Sequence, residues 1–332
     1  MMGQEAGQGM GSEVWECARG AAPACVVGVL LATAVPAPPA VAQPAQEDED
    51  AARRSWFLEA SGGAEYDSVV ALDELDLSND SGDSALLLEL SGGVTQPFGR
   101  QTELDLRYSY SVLDYSDFPE VDQESHILSA DLKRDVGAAD IGFSTFYIDS
   151  DLGNDQLLEL VRFSPYVSAF FRKGWFARAA FVYSDKVNGI NPGRDATASI
   201  AELDIYHFPS GKPWYVSLGY KYRDEGADAA RFDYTGNTLK VRWVRRMQLA
   251  GRDARLELSY RYLDRDYSAI TPSIGDERRD QRQQLQAEME LTLSERLNLE
   301  LFGAYADYES NLAGVDFDQY VTGFRLRYRW EP

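Results

Sequence analysis

Apolar and polar positions alternate with a period of two along most of the chain. In "KPWYVSLGYKYR" (212–223), Trp214, Val216, Leu218, Tyr220 and Tyr222 share one parity, and Tyr215, Ser217, Gly219, Lys221 and Arg223 the other. "ARLELSYRYL" sets Leu256, Leu258, Tyr260 and Tyr262 against Arg255, Glu257, Ser259 and Arg261. "TELDLRYSYSV" sets Leu104, Leu106, Tyr108, Tyr110 and Val112 against Asp105, Arg107, Ser109 and Ser111. Successive side chains of a strand point to opposite faces, so each segment reads as a strand with one apolar and one polar face. The stretch "QRQQLQAEMELTLSERLNLELF" has high helix propensity and tests this rule. On a helix Leu285 and Leu291 would point about 240° apart and form no common stripe. On a strand, Leu285, Ala287, Met289, Leu291 and Leu293 share a face opposite Gln284, Gln286, Glu288, Glu290 and Thr292. The strand accounts for the pattern.

Extended along the chain, the alternation predicts about fourteen strands of roughly ten to fourteen residues each, with connections in two alternating classes. Short ones fall near Gly99-Arg100, Gly137–Asp140, Lys173-Gly174, Pro209–Lys212, Arg246–Arg252 and Ser294–Arg296. Long ones fall near 69–83, 115–123, 151–155, 186–195, 225–230, 267–280 and 310–316. A repeat of about 40 residues also suggests a propeller, but a blade holds four short strands and each unit here holds two long ones. An even number of antiparallel strands, with short turns at one end and long loops at the other, is the signature of an all-β, up-and-down outer-membrane barrel. Closure satisfies every backbone group within lipid, which an open sheet cannot do.

Tyrosine recurs beside aspartate where upward strands reach the long-loop end, as in "YRYLDRDY" (260–267). Tyr66, Tyr115, Tyr147, Tyr183, Tyr222, Tyr262 and Tyr305 are the expected aromatic girdle there. Trp56, Trp175, Trp214, Trp243 and Trp330 fall near the short-turn end and supply the second girdle. Such rings sit at headgroup depth, and the neighbouring aspartates begin the solvated loops.

Composition narrows the picture. The chain carries 54 acidic and 32 basic side chains, a formal net charge of −22, with no basic tract, which excludes nucleic acid as a partner. Residues 1–42 hold an apolar run ending Ala40-Val41-Ala42, the form of a secretory signal peptide. Both cysteines, Cys17 and Cys25, lie inside it, so the remainder forms no disulfide or thiolate site. Residues 43–54 read as a polar periplasmic linker and 55–332 as one barrel domain. The acidic loops at 69–83 and 115–123 are expected either as solvated loops or as holders of divalent cations beside lipopolysaccharide.

Charges on the inner parity are numerous, and on a lipid face each basic one would cost about 2–4 kcal/mol at mid-membrane. The expected lumen lining is therefore Glu59, Glu65, Lys240, Arg242, Arg255, Glu257, Arg261, Glu288, Glu290, Glu300, Arg325, Arg327 and Arg329. Closure of the barrel is expected to set the last basic row beside Glu59 and Glu65. These charges either plug the barrel with ion pairs or line a narrow pore. No catalytic site or cofactor is expected: His126 lies near the long-loop end on the lipid parity and His207 near the short-turn end.

The segments "GGAEYDSVVALDE", "LLLELSGGVTQPFG", "LDLRYSYSVLDYSD", "ESHILSADLKRDVG" and "YVTGFRLRYRW" resemble the barrel of the surface lipoprotein assembly modifiers. The resemblance runs over about residues 55–330 and rests on strand rhythm; it implies a fourteen-stranded barrel that passes lipoproteins to the cell surface. Family members usually carry periplasmic tetratricopeptide repeats, for which 43–54 leave no room. The expectation is thus a non-catalytic outer-membrane channel or modifier-like barrel of a Gram-negative bacterium, with both termini periplasmic. The alternative is a plugged structural barrel acting through protein partners. Expected partners are outer-membrane lipid and lipopolysaccharide, a lipoprotein client or envelope component, and the barrel-insertion machinery. The last of these would read the alternating Phe324, Leu326, Tyr328 and Trp330, beyond which Glu331 and Pro332 overhang.

Overall fold

A computed structural model describes residues 54–79 and 81–331. The expected signal peptide (1–42), the linker up to residue 53 and Pro332 lie outside the described residues. The strands are β1 (Ser55–Asp67), β2 (Val70–Leu72), β3 (Leu77–Asn79), β4 (Asp83–Phe98), β5 (Thr102–Tyr115), β6 (Gln123–Asp135), β7 (Asp140–Leu152) and β8 (Asp155–Arg172). They continue with β9 (Trp175–Asn188), β10 (Ala196–His207), β11 (Trp214–Ala227), β12 (Tyr234–Leu249), β13 (Arg252–Thr271), β14 (Asp276–Thr292), β15 (Leu297–Ser310) and β16 (Phe317–Trp330). Fourteen of them, all except β2 and β3, form one closed antiparallel barrel in chain order, sealed by β1 against β16 with Leu58 opposite Trp330.

The period-two pattern fixes which face each residue takes. On β4, Leu86, Leu88 and Leu90 are 64, 48 and 47% exposed, while Ala85 and Glu89 between and beside them are 2 and 8% exposed. This is the reverse of a water-soluble protein: the apolar side faces out and the charged side faces in. A continuous exposed apolar belt of this kind needs lipid around it. None of the helices among the described residues is long and apolar enough to cross a membrane.

Several connections differ from the sequence expectation. The barrel strands run from 12 to 20 residues, longer than a bilayer requires. The surplus lies at the long-loop end: β13 and β14 pair as far as Thr271 and Asp276, leaving a four-residue turn where a loop over 267–280 was expected. The expected loop at 151–155 is likewise a tight turn at Gly153 between β7 and β8. At the other end Gly174 takes φ +73° in the turn before β9, and a Cβ there would stand 2.4 Å from the Phe208 carbonyl oxygen.

The largest departure concerns the acidic loop expected near 69–83 as solvated or cation-holding, which spans 68–82 between β1 and β4. It contains the β2–β3 hairpin and turns into the barrel mouth, where Val70, Ala71 and Leu72 are buried. Leu72 packs with Ile127 of β6, Phe146 and Ile148 of β7, and Leu158 and Leu160 of β8. Val70 packs with Ala85, Leu113 and Tyr115. Three apolar residues amid the carboxylates thus draw the loop inward, because the upper wall beneath it is aliphatic.

Candidate functional site

The functional surface of a barrel is its inner wall, and here it mixes small, aliphatic and charged residues. Strands β6 to β9 present Ser125, Ser144, Ser184 and Val182 inward, each at most 2% exposed, together with buried Arg162 and Arg178, Arg162 lying 3.3 Å from Glu202 of β10. Strands β10 to β16 and β1 present the ion pairs described next. Near the short-turn end Arg327 reaches Glu300 at 2.5 Å, Glu290 at 3.1 Å and Glu59 at 3.4 Å. Arg325 lies 3.4 Å from Glu300 and 3.8 Å from Glu89 of β4, and Arg329 lies 3.6 Å from Glu59. Further round, Arg242 meets Glu257 at 3.5 Å, and Arg255 bridges Glu257 and Glu288, the latter at 3.5 Å. Lys240 is buried and Arg261 half-buried on the same face. Each guanidinium in the Arg325–Arg327 group keeps at least two carboxylates, as desolvated charges require.

Glu65 is buried on the same inward face further along β1. It lies opposite Gly323, two positions along β16 from Arg325, whereas Glu59 lies opposite Arg329. In an antiparallel pair each step up one strand is a step down the other, so the two carboxylates flank opposite ends of the basic row.

The tyrosine girdle needs one correction. Tyr66, Tyr147, Tyr183, Tyr222 and Tyr305 are exposed on the outward face, and Tyr262 shares it half-buried. Tyr115 is 3% exposed and points inward, under Val70. It has the parity of Ser111 and Leu113, so its neighbour Asp114, not the ring, faces out. Tyr320, absent from the expected girdle, sits 5.9 Å from Tyr66. Trp56, Trp175, Trp214, Trp243 and Trp330 all follow the outward parity; Trp330 meets Trp56 edge-on at 5.1 Å. Both histidines face outward as well: His126 Nδ1 is 2.8 Å from the Tyr108 hydroxyl, and His207 stacks on Trp175 at 4.3 Å. Among the described residues no group of three carboxylate, histidine or cysteine side chains converges to hold a metal ion.

A second cluster, at the long-loop mouth, has no signature in the local sequence pattern. Arg194, from the connection before β10, and Arg278 of β14 both bind Asp76 of the 68–82 loop, Arg278 at 2.8 Å. Glu74 of the same loop lies 3.4 Å from Lys186 of β9, which also contacts Glu225 at 3.0 Å. Asn188 donates to the Glu74 carbonyl, and Ser78 donates to the Gly314 carbonyl across the mouth. Asp76 has φ +54°, a left-handed conformation that aspartate tolerates better than most residues. Burial alone would raise its carboxyl pKa; the charge of Arg194 and the hydrogen bond and charge of Arg278 outweigh burial and hold it below its ordinary value. The loop is latched to three separate stretches of wall.

A closed antiparallel barrel with an outward apolar belt, aromatic residues at both rims and a charged interior defines the class: this is an outer-membrane-type β-barrel, with a fold resembling Gram-negative outer-membrane proteins. Among solved structures it is similar to OmpT of Vibrio cholerae, described as outer-membrane expressed, with a TM-score of 0.52 at 10% identity, over 83% of this chain and 97% of that one. It also aligns with an anion-selective porin from Comamonas acidovorans (TM-score 0.48, 11% identity, 84% and 99% covered) and with OprD from Pseudomonas aeruginosa (0.42, 8%, 84% and 94%). At such identities the first likeness speaks for the fold, and the other two carry no argument. No family model and no curated protein matches the chain.

Proposed function

We propose that the protein is a non-catalytic outer-membrane channel for small polar solutes, with a narrow ion-paired lumen and a mouth capped by the 68–82 loop. The observation that supports this reading best is the run of inward charges on adjacent strands, from Arg329 near one mouth to Arg278 near the other. Ordered charges along a wall offer a permeating ion or polar solute successive partners, each replacing part of its hydration. In this reading the termini lie on the periplasmic side, with outer-membrane lipid and lipopolysaccharide around the apolar belt. The lipoprotein-translocating role implied by the modifier resemblance is a narrower version; an ion-paired wall under a latched loop favours solute-sized passage over it. The full burial of Ser125, Ser144 and Ser184 favours the competing reading, a barrel plugged by its own side chains.

Planar-bilayer recording separates the two. A channel gives stable openings whose ion selectivity changes when Glu288 and Glu290 are both replaced by Gln, and whose conductance rises in Asp76→Asn. Silence of the wild type and of Asp76→Asn alike would leave the plugged barrel.

A further inference from the structure

The latch at the long-loop mouth is built as a binding site whose ligand is, in this structure, part of the chain itself. We propose that the pocket beneath the 68–82 loop binds a small organic dicarboxylate, and that Glu74 and Asp76 occupy it as internal stand-ins; the proposal rests on the channel reading for its purpose, though not for its test.

Three observations carry it. First, the two carboxylates enter two distinct cationic subsites: Asp76 sits between Arg194 and Arg278, and Glu74 against Lys186. Two guanidinium groups converging on one carboxylate is a recognition geometry that lysine or a single charge does not provide. Second, the cations are held in place by groups outside the 68–82 loop. Arg194 stacks on Phe232 at 4.1 Å, and Arg278 lies over Tyr267 at 4.7 Å with two contacts of 2.8 Å to Asp280. Lys186 keeps Glu225 at 3.0 Å, and Arg223 bonds the same carboxylate at 2.6 Å. A withdrawn loop would therefore leave a formed site behind. Third, the wall carboxylates at this cluster are shared: Glu225 serves both Lys186 and Arg223, and Asp280 serves Arg278, which also turns to Asp76. The loop's two carboxylates give these cations further partners, and a solute carrying two carboxylates can do the same.

The site would then act by exchange. An incoming dicarboxylate competes with the loop for the same cations, so binding and release of the cap are linked, and the loop lowers apparent affinity by the fraction of time it occupies the pocket. Apolar anchoring of Val70 and Leu72 keeps the hairpin close by when its acidic tip lets go.

Succinate binding by calorimetry to the purified full chain in detergent micelles tests this, with acetate and inorganic phosphate as comparison probes. The Glu74→Gln/Asp76→Asn variant should bind succinate at least tenfold more tightly than the wild type, and adding Arg194→Gln should abolish the gain. Acetate should stay weak throughout, since it fills one subsite. In the wild type, succinate should speed hydrogen exchange of the 68–82 amides, a readout that requires no variant to fold. Equal succinate affinity in the wild type and the double variant would overturn the proposal. So would acetate or phosphate gaining as much as succinate, or exchange of the loop unaffected by saturating succinate. Silent bilayers with succinate binding intact would instead remove the channel reading and leave this site standing.

Discussion

Glu300→Gln measures whether the inner wall is dry. Glu300 is 2% exposed and takes Arg327 at 2.5 Å and Arg325 at 3.4 Å. Losing its charge leaves Arg325 with Glu89 at 3.8 Å, while Arg327 retains Glu59 at 3.4 Å and Glu290 at 3.1 Å. Removing one partner of a fully buried pair costs about 3–5 kcal/mol, whereas an exposed pair is worth about 0–1 kcal/mol. Glutamine keeps the shape and one acceptor, and both guanidinium groups keep a carboxylate. The expected loss is therefore about 2 kcal/mol, above the exposed range and below the buried one. Urea unfolding in lipid vesicles, followed by tryptophan fluorescence, reads it directly. Arg325→Met should cost less in the Glu300→Gln background than alone, because the two share one interaction. A loss below about 0.5 kcal/mol would mean that water screens the pair as it does on a surface. The assignment of a desolvated ion pair at Glu300 would then be wrong, and water would reach the lumen wall at that level.

Acidification should release the loop latch. The Asp76 carboxyl is held below its ordinary value, so its contribution is complete above about pH 4 and is lost as pH falls through the lowered folded-state pKa; exchange of the 68–82 amides, corrected for intrinsic rate, should be flat from pH 7 to about 4 and rise only below, and a rise already by pH 5.5 would argue against Asp76 as the holding group. Gly142→Ala places a Cβ 2.2 Å from the Tyr166 ring, which is pinned by its bond to Asp131 at 2.9 Å and by Arg178 over it at 4.2 Å. Overpacking there should cost about 1–3 kcal/mol in the same urea assay, and Tyr166→Phe in that background should recover little, since the clash involves the ring as well as its hydroxyl. Trp330→Ala removes an outward ring that packs on Trp56, and should lower the heat-modifiable, membrane-inserted fraction on gels, while deletion of Glu331 and Pro332 should leave it unchanged.

The sequence by itself determined the strands, their facing and their closure. Side-chain parity is a local property of an extended backbone, so Leu86 or Arg327 declares its face from its immediate neighbours. An even count of such strands in lipid has closure as its way to pair both edges. Tyr115 shows the same rule from the other side: its parity matched Ser111 and Leu113, and grouping it by the tyrosine–aspartate motif instead gave the wrong face. What tertiary structure alone decided was the partnership of groups far apart in the chain. Asp76 and Arg278 are 202 positions apart and meet because the barrel's curvature brings β14 round to the mouth that the first loop enters. Neither the acidic run around Asp76 nor the arginines around Arg278 encodes that meeting locally. The inward turn of the loop depends on apolar contacts that Val70 and Leu72 make with β4 to β8, and these exist only once the wall is closed. Local alternation set the scaffold; long-range geometry set the latch.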